Sequence, residues 1–206
     1  MRLPAAGIVK IAATIFVAIL CLVIYWDIGE DKAGIQNRQG ALFFLCLNNG
    51  FGGVNNVNLV FPMERPVFLR EINNNMYSAS AYFWGKIMSE LPMSIFIPIL
   101  QGVIVYFALG LDTALWYKFP TFLLSSILIY NSFTGFGYLI GVMISNKQVQ
   151  MVMTPVLIVP TMLFAGFFVN QDNIPKFLWP LSQLAVFRYG FQAYMLNEFT
   201  ENRMAC

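Results

Sequence analysis

The fold class of this chain is decided by residues 61–92, FPMERPVFLREINNNMYSASAYFWGKIMSELP. Apolar runs flank this stretch on both sides, but the stretch itself carries four charged side chains of both signs within eight residues: Glu64, Arg65, Arg70 and Glu71. Each charged side chain would cost roughly 2.5 to 3.5 kcal/mol at the middle of a bilayer. The stretch therefore predicts a loop at a membrane face, between two membrane-spanning segments.

The composition of the whole chain agrees with a membrane protein. Of its 206 residues, 58% are hydrophobic and only 11% are charged, whereas about a quarter of the residues in soluble domains are charged. The net charge of +2 is too small to indicate a nucleic-acid partner. The sequence has no histidine, which removes the commonest general base and metal ligand and disfavours a membrane-embedded enzyme.

Five hydrophobic segments are long enough to cross a bilayer as helices, which takes about 20 residues each. The predicted spans are residues 8–26, 41–61, 87–111, 119–144 and 151–169. Residues 170–199 mix apolar and polar side chains, which predicts a re-entrant or interfacial helical segment. The prediction is thus an all-α, polytopic, integral membrane bundle, although the basic residues divide equally between the two faces and give no orientation.

The second predicted span is unusually polar, because five carboxamides interrupt it: Asn48, Asn49, Asn55, Asn56 and Asn58. A helix surrounded by lipid would not carry them, so at least one face must contact protein or water. Phe44, Asn48 and Phe51 also fall at i, i+4 and i+7, on one stripe of a helix. Two aromatic rings that flank one amide could bind a flat, apolar ligand by stacking and one hydrogen bond. The alternative interpretation is that these side chains only pack the helix against its neighbours.

Three motifs resemble the transmembrane half of G-subfamily (White-type) ABC exporters, whose fold is the ABC-2 or type V exporter bundle. The first is F-x-x-E-R-x-V-F-x-R-E with M-Y-S-x-S-A-Y-F and K-x-x-x-E-L-P, in residues 61–92. The second is P-x-L-I-V-P-x-x-L-F-A-G-F-F-V-N, in residues 155–170. The third, in residues 174–199, is I-P-x-F-L-W-P-L-S with F-R-Y-G-F-x-A and N-E-F. From residue 61 to residue 199 they follow the order of the family, and the resemblance treats the whole chain, 1–206, as one transmembrane domain.

The resemblance assigns roles to the charged stretch. It implies that residues 62–86 form a cytosolic coupling loop, which contains a short coupling helix that receives the stroke of an ATP-binding domain. Glu64, Arg65, Arg70 and Glu71 would be the charged coupling residues. Val67, Phe68 and Leu69 would add a small apolar contact. The alternative is an ordinary solvated loop whose charges anchor the ends of the spans.

The resemblance also assigns a cavity and a gate. It implies that the stripe of Phe44, Asn48 and Phe51 lines a central cavity together with Val159 and Met162. Pro155 replaces a hydroxyl residue of the multidrug relatives, which makes their drug specificity a poor guide here. Phe167 and Phe168 would close the cavity on the outside, since an apolar constriction can exclude water. An aromatic belt at the membrane interface is the alternative for this pair.

The sequence contains no P-loop, G-x-x-x-x-G-K-[ST], so this chain is not expected to hydrolyse ATP by itself. The resemblance implies a homodimer or heterodimer of two such halves that exports lipid, sterol or other amphipathic substrates by alternating access. ATP and Mg would then bind to a partner nucleotide-binding domain. The family continues into a sixth span, before which this chain ends. A truncated protein that dimerises with or modulates full-length partners, without transporting, is the alternative.

Overall fold

The computed structural model describes residues 4–25, 32–111, 116–168 and 178–199. Within these ranges the chain is all-helical and has no β-strand. The helices are α1 (Pro4–Ile24), α2 (Lys32–Asn73), α3 (Ala79–Ala108), α4 (Lys118–Met143), α5 (Lys147–Leu163), α6 (Trp179–Gln183) and α7 (Val186–Phe199). The predicted all-α bundle is therefore confirmed for the part of the chain that the structure describes.

Among the described residues, three helices are long and apolar enough to cross a membrane, over Gly7–Ile24, Ala79–Ala108 and Lys118–Met143. They contain most of the first, third and fourth predicted spans. The second predicted span lies inside α2, whose asparagines lower its hydropathy. The fifth lies largely in α5, a helix of 17 residues that ends six residues before the predicted boundary at 169. The count of five spans therefore stays a prediction.

The segment predicted as a coupling loop, residues 62–86, is helical over most of its length. Helix α2 continues to Asn73 and α3 begins at Ala79, so only a short turn separates them. Asn75 enters the left-handed region at φ 55°, and the Ser78 hydroxyl accepts a hydrogen bond from the amide of Ala81 to cap α3. The charges do not require a loop, because a helix of 42 residues is roughly 63 Å long and extends well beyond a 30 Å hydrocarbon core.

Helix α4 lies at the centre of the bundle and packs against α2, α3 and α7. A Cβ atom at Gly53 of α2 would lie 2.4 Å from the carbonyl oxygen of Tyr130 in α4, so glycine permits this close crossing. Around the crossing, the core is rich in buried aromatic side chains, which are Tyr106, Phe122, Phe133, Phe187 and Tyr194. Helix α1 packs against α3 and leaves most of its apolar surface exposed.

The segment predicted as re-entrant, residues 170–199, contains the short helix α6 and the longer helix α7. Residues 170–177 lie outside the described part of the chain. Phe187, Phe191 and Tyr194 form a buried face of α7, and this helix packs against α2, α4 and α5. Helix α7 is therefore an integral part of the bundle core, although the path by which the chain enters it remains a prediction.

Candidate coupling and substrate-binding sites

The four charged residues predicted to couple the protein to an ATPase lie on the last turns of α2. Glu64 and Glu71 are seven residues apart and therefore occupy the same face of the helix. Both carboxylates point toward α3 and the turn before it, where they accept hydrogen bonds from tyrosines. Arg70 is exposed to solvent, and Arg65 is half-buried.

Glu64 belongs to a cluster of charged and phenolic groups around Lys86, which we call the Lys86 cluster (Glu64, Tyr82, Lys86, Glu90 and Tyr138). The ammonium of Lys86 donates to Glu64 and forms an ion pair with Glu90 at 2.9 Å. Tyr82 donates to Glu64 at 3.3 Å, and Tyr138 donates to Glu90. The cluster therefore joins the end of α2 to the start of α3 and to α4.

The composition of the Lys86 cluster explains why a charged group is tolerated there. The side chain of Lys86 is only 6% exposed, and an unpaired buried ammonium would cost several kcal/mol. Two carboxylates on one ammonium leave the three charged groups with a formal sum of −1. The two tyrosine hydroxyls donate to the carboxylates, which satisfies part of their capacity to accept hydrogen bonds.

Aromatic contacts fix the turn between α2 and α3 against the end of α2. The ring of Phe68 lies 4.2 Å from that of Tyr82, and Tyr77 stacks on Tyr82 with centroids 6.1 Å apart. The Tyr77 hydroxyl donates to Glu71 at 2.6 Å, and this hydrogen bond raises the pKa of Tyr77. The end of α2 and the start of α3 thus form one helical hairpin.

The predicted apolar contact of Val67, Phe68 and Leu69 is only partly available at the surface. Val67 and Leu69 are 45% and 48% exposed. Phe68 instead turns inward, because its ring packs on Tyr82. Val67, Leu69 and Arg70 therefore lie on the outward surface of the hairpin.

Two of the predicted cavity residues share one pocket. Asn48 and Phe51 line a space of about 260 Å³ between α1, α2, α3 and α4. Asn48 accepts a hydrogen bond of 2.8 Å from the Gln101 amide, and the ring of Phe51 lies 6.4 Å from that of Phe187. Further polar side chains line this pocket, which are Lys10, Thr14, Asn55, Asn56 and Tyr130. The pocket is more polar than the apolar stripe predicted from the sequence.

The other predicted cavity residues do not line this pocket. Phe44 is 42% exposed and Val159 is 41% exposed, on α2 and α5 respectively. Met162 packs against the hydrophobic core. A single chain therefore does not bring the five predicted cavity residues together, and the cavity they would form stays a proposal.

The predicted gate residues pack against two phenylalanines that the sequence did not single out. The ring of Phe167 stacks on Phe43 of α2 at 4.5 Å, and Phe168 meets Phe43 edge-on at 5.3 Å. Phe191 of α7 contacts Phe167 at 6.0 Å. Gly166 has φ +91°, a conformation that side chains rarely adopt, and it turns the chain out of α5 just before the pair. Phe167 and Phe168 remain 39% and 56% exposed.

The asparagines of α2 mostly point into the protein, as their number in this helix predicted. The Asn58 amide donates to Thr154 of α5 at 2.9 Å and accepts from Gln150 at 2.7 Å. Asn49 donates to the Tyr194 hydroxyl of α7 at 3.1 Å, and that hydroxyl lies 2.8 Å from the hydroxyl of Ser126. These bonds connect α2 to α5, α7 and α4.

Several of these contacts had no signal in the sequence. The i, i+4 spacing of Lys86 and Glu90 predicts their ion pair, but nothing indicated that Glu64, 22 residues away from Lys86, would share it. Tyr138 and Phe43 lie within apolar runs and look like ordinary lipid-facing aromatics. Their roles depend on how the helices pack, which a single sequence does not encode locally.

Residues 1–199 match the family model described as ABC-2 type transporter. The chain is 34% identical to "Protein white" of Drosophila melanogaster over 193 residues. This alignment covers 94% of this chain and 28% of that protein. It is also 33% identical to "Broad substrate specificity ATP-binding cassette transporter ABCG2" of Bos taurus over 197 residues. That alignment covers 95% of this chain and 30% of the relative.

A third relative extends the similarity to nematodes. The "ABC transporter ATP-binding protein/permease wht-1" of Caenorhabditis elegans is 34% identical over 198 residues, which cover 93% of this chain and 28% of that protein. The chain thus spans less than a third of the length of the curated relatives it matches.

Proposed function

Because the chain belongs to the ABC-2 type transporter family, with relatives among the White-type G subfamily, we propose that it acts as the membrane-spanning half of an ATP-driven exporter. Its substrates would be lipids, sterols or other amphipathic molecules. Two such halves, alike or different, would enclose a cavity, and nucleotide-binding domains would supply the energy by hydrolysing ATP with Mg. The names of the relatives, which describe ATP-binding cassette transporters, support this proposal.

The observation that carries the proposal is the continuity of α2. This helix runs without interruption from Lys32 to Asn73, so it contains both the predicted coupling residues and the predicted cavity residue Asn48. The 22 residues between Asn48 and Arg70 correspond to roughly 33 Å of helix. A force on the outward surface of the hairpin would therefore reach the middle of the bundle through one continuous helix, although Pro62 and Pro66 each remove a backbone hydrogen bond from it.

The Lys86 cluster would determine which helices move together. Its ion pairs fix the end of α2 to the start of α3, and the Tyr138 hydroxyl adds α4. The Asn58 hydrogen bonds add α5. In the proposed mechanism of alternating access, a push on the hairpin moves α2 together with α5, on which Val159 and Met162 lie.

The exposed residues suggest where a second half would pack. Phe44 and Val159 are large apolar side chains that a single chain leaves 42% and 41% exposed. If two copies face each other through these sides of α2 and α5, the exposed apolar side chains would line the space between them. Phe167 and Phe168, packed on Phe43, would then close that space at one end.

The first test is co-purification of an ATP-binding polypeptide with the tagged chain from its native membranes, detected by photolabelling with azido-ATP. Arg70→Glu, which reverses the exposed charge on the hairpin, should abolish the recovery of that polypeptide. Lys147→Glu, a charge reversal at the start of α5, is the matched control and should leave recovery unchanged. Absence of any ATP-binding polypeptide from the wild-type preparation would favour the non-transporting alternative.

A further inference from the structure

A groove runs between α3 and α4 from the Lys86 cluster toward the middle of the bundle. Its volume is about 990 Å³, at the upper end of the roughly 300 to 1,000 Å³ that small-molecule sites occupy. Phe61 and Phe68 of α2 close its charged end. The proposed transport cycle makes no use of this groove.

One end of the groove is charged, and its walls combine polar and apolar side chains. The Lys86 cluster, except for Glu64 at its edge, lines one end, and Ser94, Asn131 and Thr134 contribute polar atoms farther along. Much of the wall is apolar and exposed, with Leu139 at 56%, Val142 at 60% and Met143 at 75%. Since α3 and α4 are long and apolar enough to cross a membrane, a lipid could reach this wall from the bilayer. The groove is thus amphipathic and open sideways to the bilayer.

The charge at the polar end favours a cationic head group. Glu64, Glu90 and Lys86 have a formal sum of −1, and the ammonium of Lys86 is the least accessible of the three at 6% side-chain exposure. The Glu90 side chain, which lines the groove, is 12% exposed. An incoming group therefore meets a carboxylate before it meets the ammonium, and a group with N–H donors can bond to that carboxylate while a second anion is repelled.

From this arrangement we propose that the groove binds a membrane lipid with a primary-amine head group. The lipid ammonium donates to the carboxylate of Glu90, and an acyl chain lies along α4 beside Gly135 and Leu139. Phosphatidylethanolamine has this chemistry. Phosphatidylcholine lacks the N–H donors, and lipids with a net negative head group are repelled by the carboxylates.

Gly135 provides a variant that fills the groove without disturbing the bundle. A Cβ atom at this position has no other heavy atom within 4 Å, and Gly135 lines the groove. Gly135→Leu therefore places a side chain where the acyl chain would lie. Ser132→Leu is the matched control, because Ser132 is exposed on the same helix and does not line the groove.

The experiment incorporates the full chain into vesicles of equal phosphatidylethanolamine and phosphatidylcholine, extracts it in mild detergent and quantifies the retained lipid by mass spectrometry. A hydrogen bond to a charged group contributes roughly 1.5 to 3 kcal/mol, so we expect phosphatidylethanolamine to be enriched about tenfold or more. Gly135→Leu should lose this enrichment and Ser132→Leu should keep it. Glu90→Gln should retain lipid but with a weaker preference for the amine head group.

Three results would overturn the proposal. One is retention of the two lipids at their vesicle ratio by the wild-type chain. Another is a Gly135→Leu variant that retains phosphatidylethanolamine as well as the wild type does. The third is exclusive recovery of dodecylamine, a single-chain amine, when it is added to the same vesicles. That result would mean that the groove selects a free amphiphilic amine and not a lipid. None of these measurements depends on ATP or on a partner, so the proposed transport function is tested separately.

Discussion

Arg38, near the start of α2, forms an ion pair with Glu198 in the last turn of α7, with 2.8 Å between Nη1 and Oε1. The two side chains are 9% and 4% exposed, although 160 residues separate them in the sequence. The pair lies at the end of α2 opposite the Lys86 cluster. Each end of this long helix is therefore attached to a neighbouring helix by an ion pair.

Breaking the pair from one side should be more harmful than removing it. Arg38→Met leaves the Glu198 carboxylate buried without its cation, at a cost of about 3 to 5 kcal/mol, whereas replacement of both partners by apolar residues is often close to neutral. We therefore expect Arg38→Met and Glu198→Met to lower the thermal unfolding midpoint of the detergent-purified chain by more than the double variant does. Equal losses in the single and double variants would show that the pair does not hold α7 to α2.

The hydrogen bonds of Asn58 should stabilise the contact between α2 and α5. Asn58→Leu removes bonds to Thr154 and Gln150 and leaves both groups buried. Hydrogen bonds between helices in a membrane contribute about 0.6 kcal/mol on average and at most about 1.7 kcal/mol, so a loss of one to three kcal/mol is the rough expectation. Asn55→Leu is the control, because Asn55 is an exposed carboxamide on the same helix. If thermal unfolding showed Asn58→Leu to be no more destabilised than Asn55→Leu, the Asn58 hydrogen bonds would not stabilise the contact between α2 and α5.

The fold class followed from the sequence because it depends on sums over many residues. Hydropathy and the order of the apolar segments were sufficient for a helical membrane bundle. The carboxamides of α2 also predicted, correctly for Asn49 and Asn58, that the helix faces protein. Such features are local, so a single sequence contains them.

The charged stretch illustrates what could not be read in this way. The charges of Glu64 and Glu71 argued against a bilayer interior, and the sequence interpretation was a loop with a short coupling helix. A long helix that projects beyond the bilayer satisfies the same argument. The partner of Glu64 is Lys86, on the next helix. Likewise Phe43, not its neighbour Phe44, meets the predicted gate, because the rotation of a helix about its axis depends on tertiary packing.

The Lys86 cluster should respond unequally to the loss of its members. Lys86→Met removes the ammonium that lies between the carboxylates of Glu64 and Glu90, whereas Glu64→Gln leaves Lys86 paired with Glu90. We expect faster amide hydrogen exchange across residues 62–90 in Lys86→Met and a smaller increase in Glu64→Gln. Lys147→Met, a basic residue outside the cluster, should leave exchange in this segment unchanged. The reverse order of the two cluster variants would mean that Glu64, not Lys86, holds the hairpin together.

Two glycines on crossing helices should respond in opposite ways to the same substitution. An alanine Cβ at Gly53 would lie 2.4 Å from the Tyr130 carbonyl oxygen and 3.1 Å from the Thr134 nitrogen, both in the α4 backbone. The helices must then separate, and overpacking of this kind typically costs about 1 to 3 kcal/mol. At Gly135 the added methyl meets open space, so Gly135→Ala should be neutral or stabilising by up to about 1 kcal/mol through helix propensity. Thermal unfolding of both variants measures the difference. If Gly53→Ala were as stable as Gly135→Ala, the distance between α2 and α4 at their crossing would have to be larger than the contacts at Gly53 indicate.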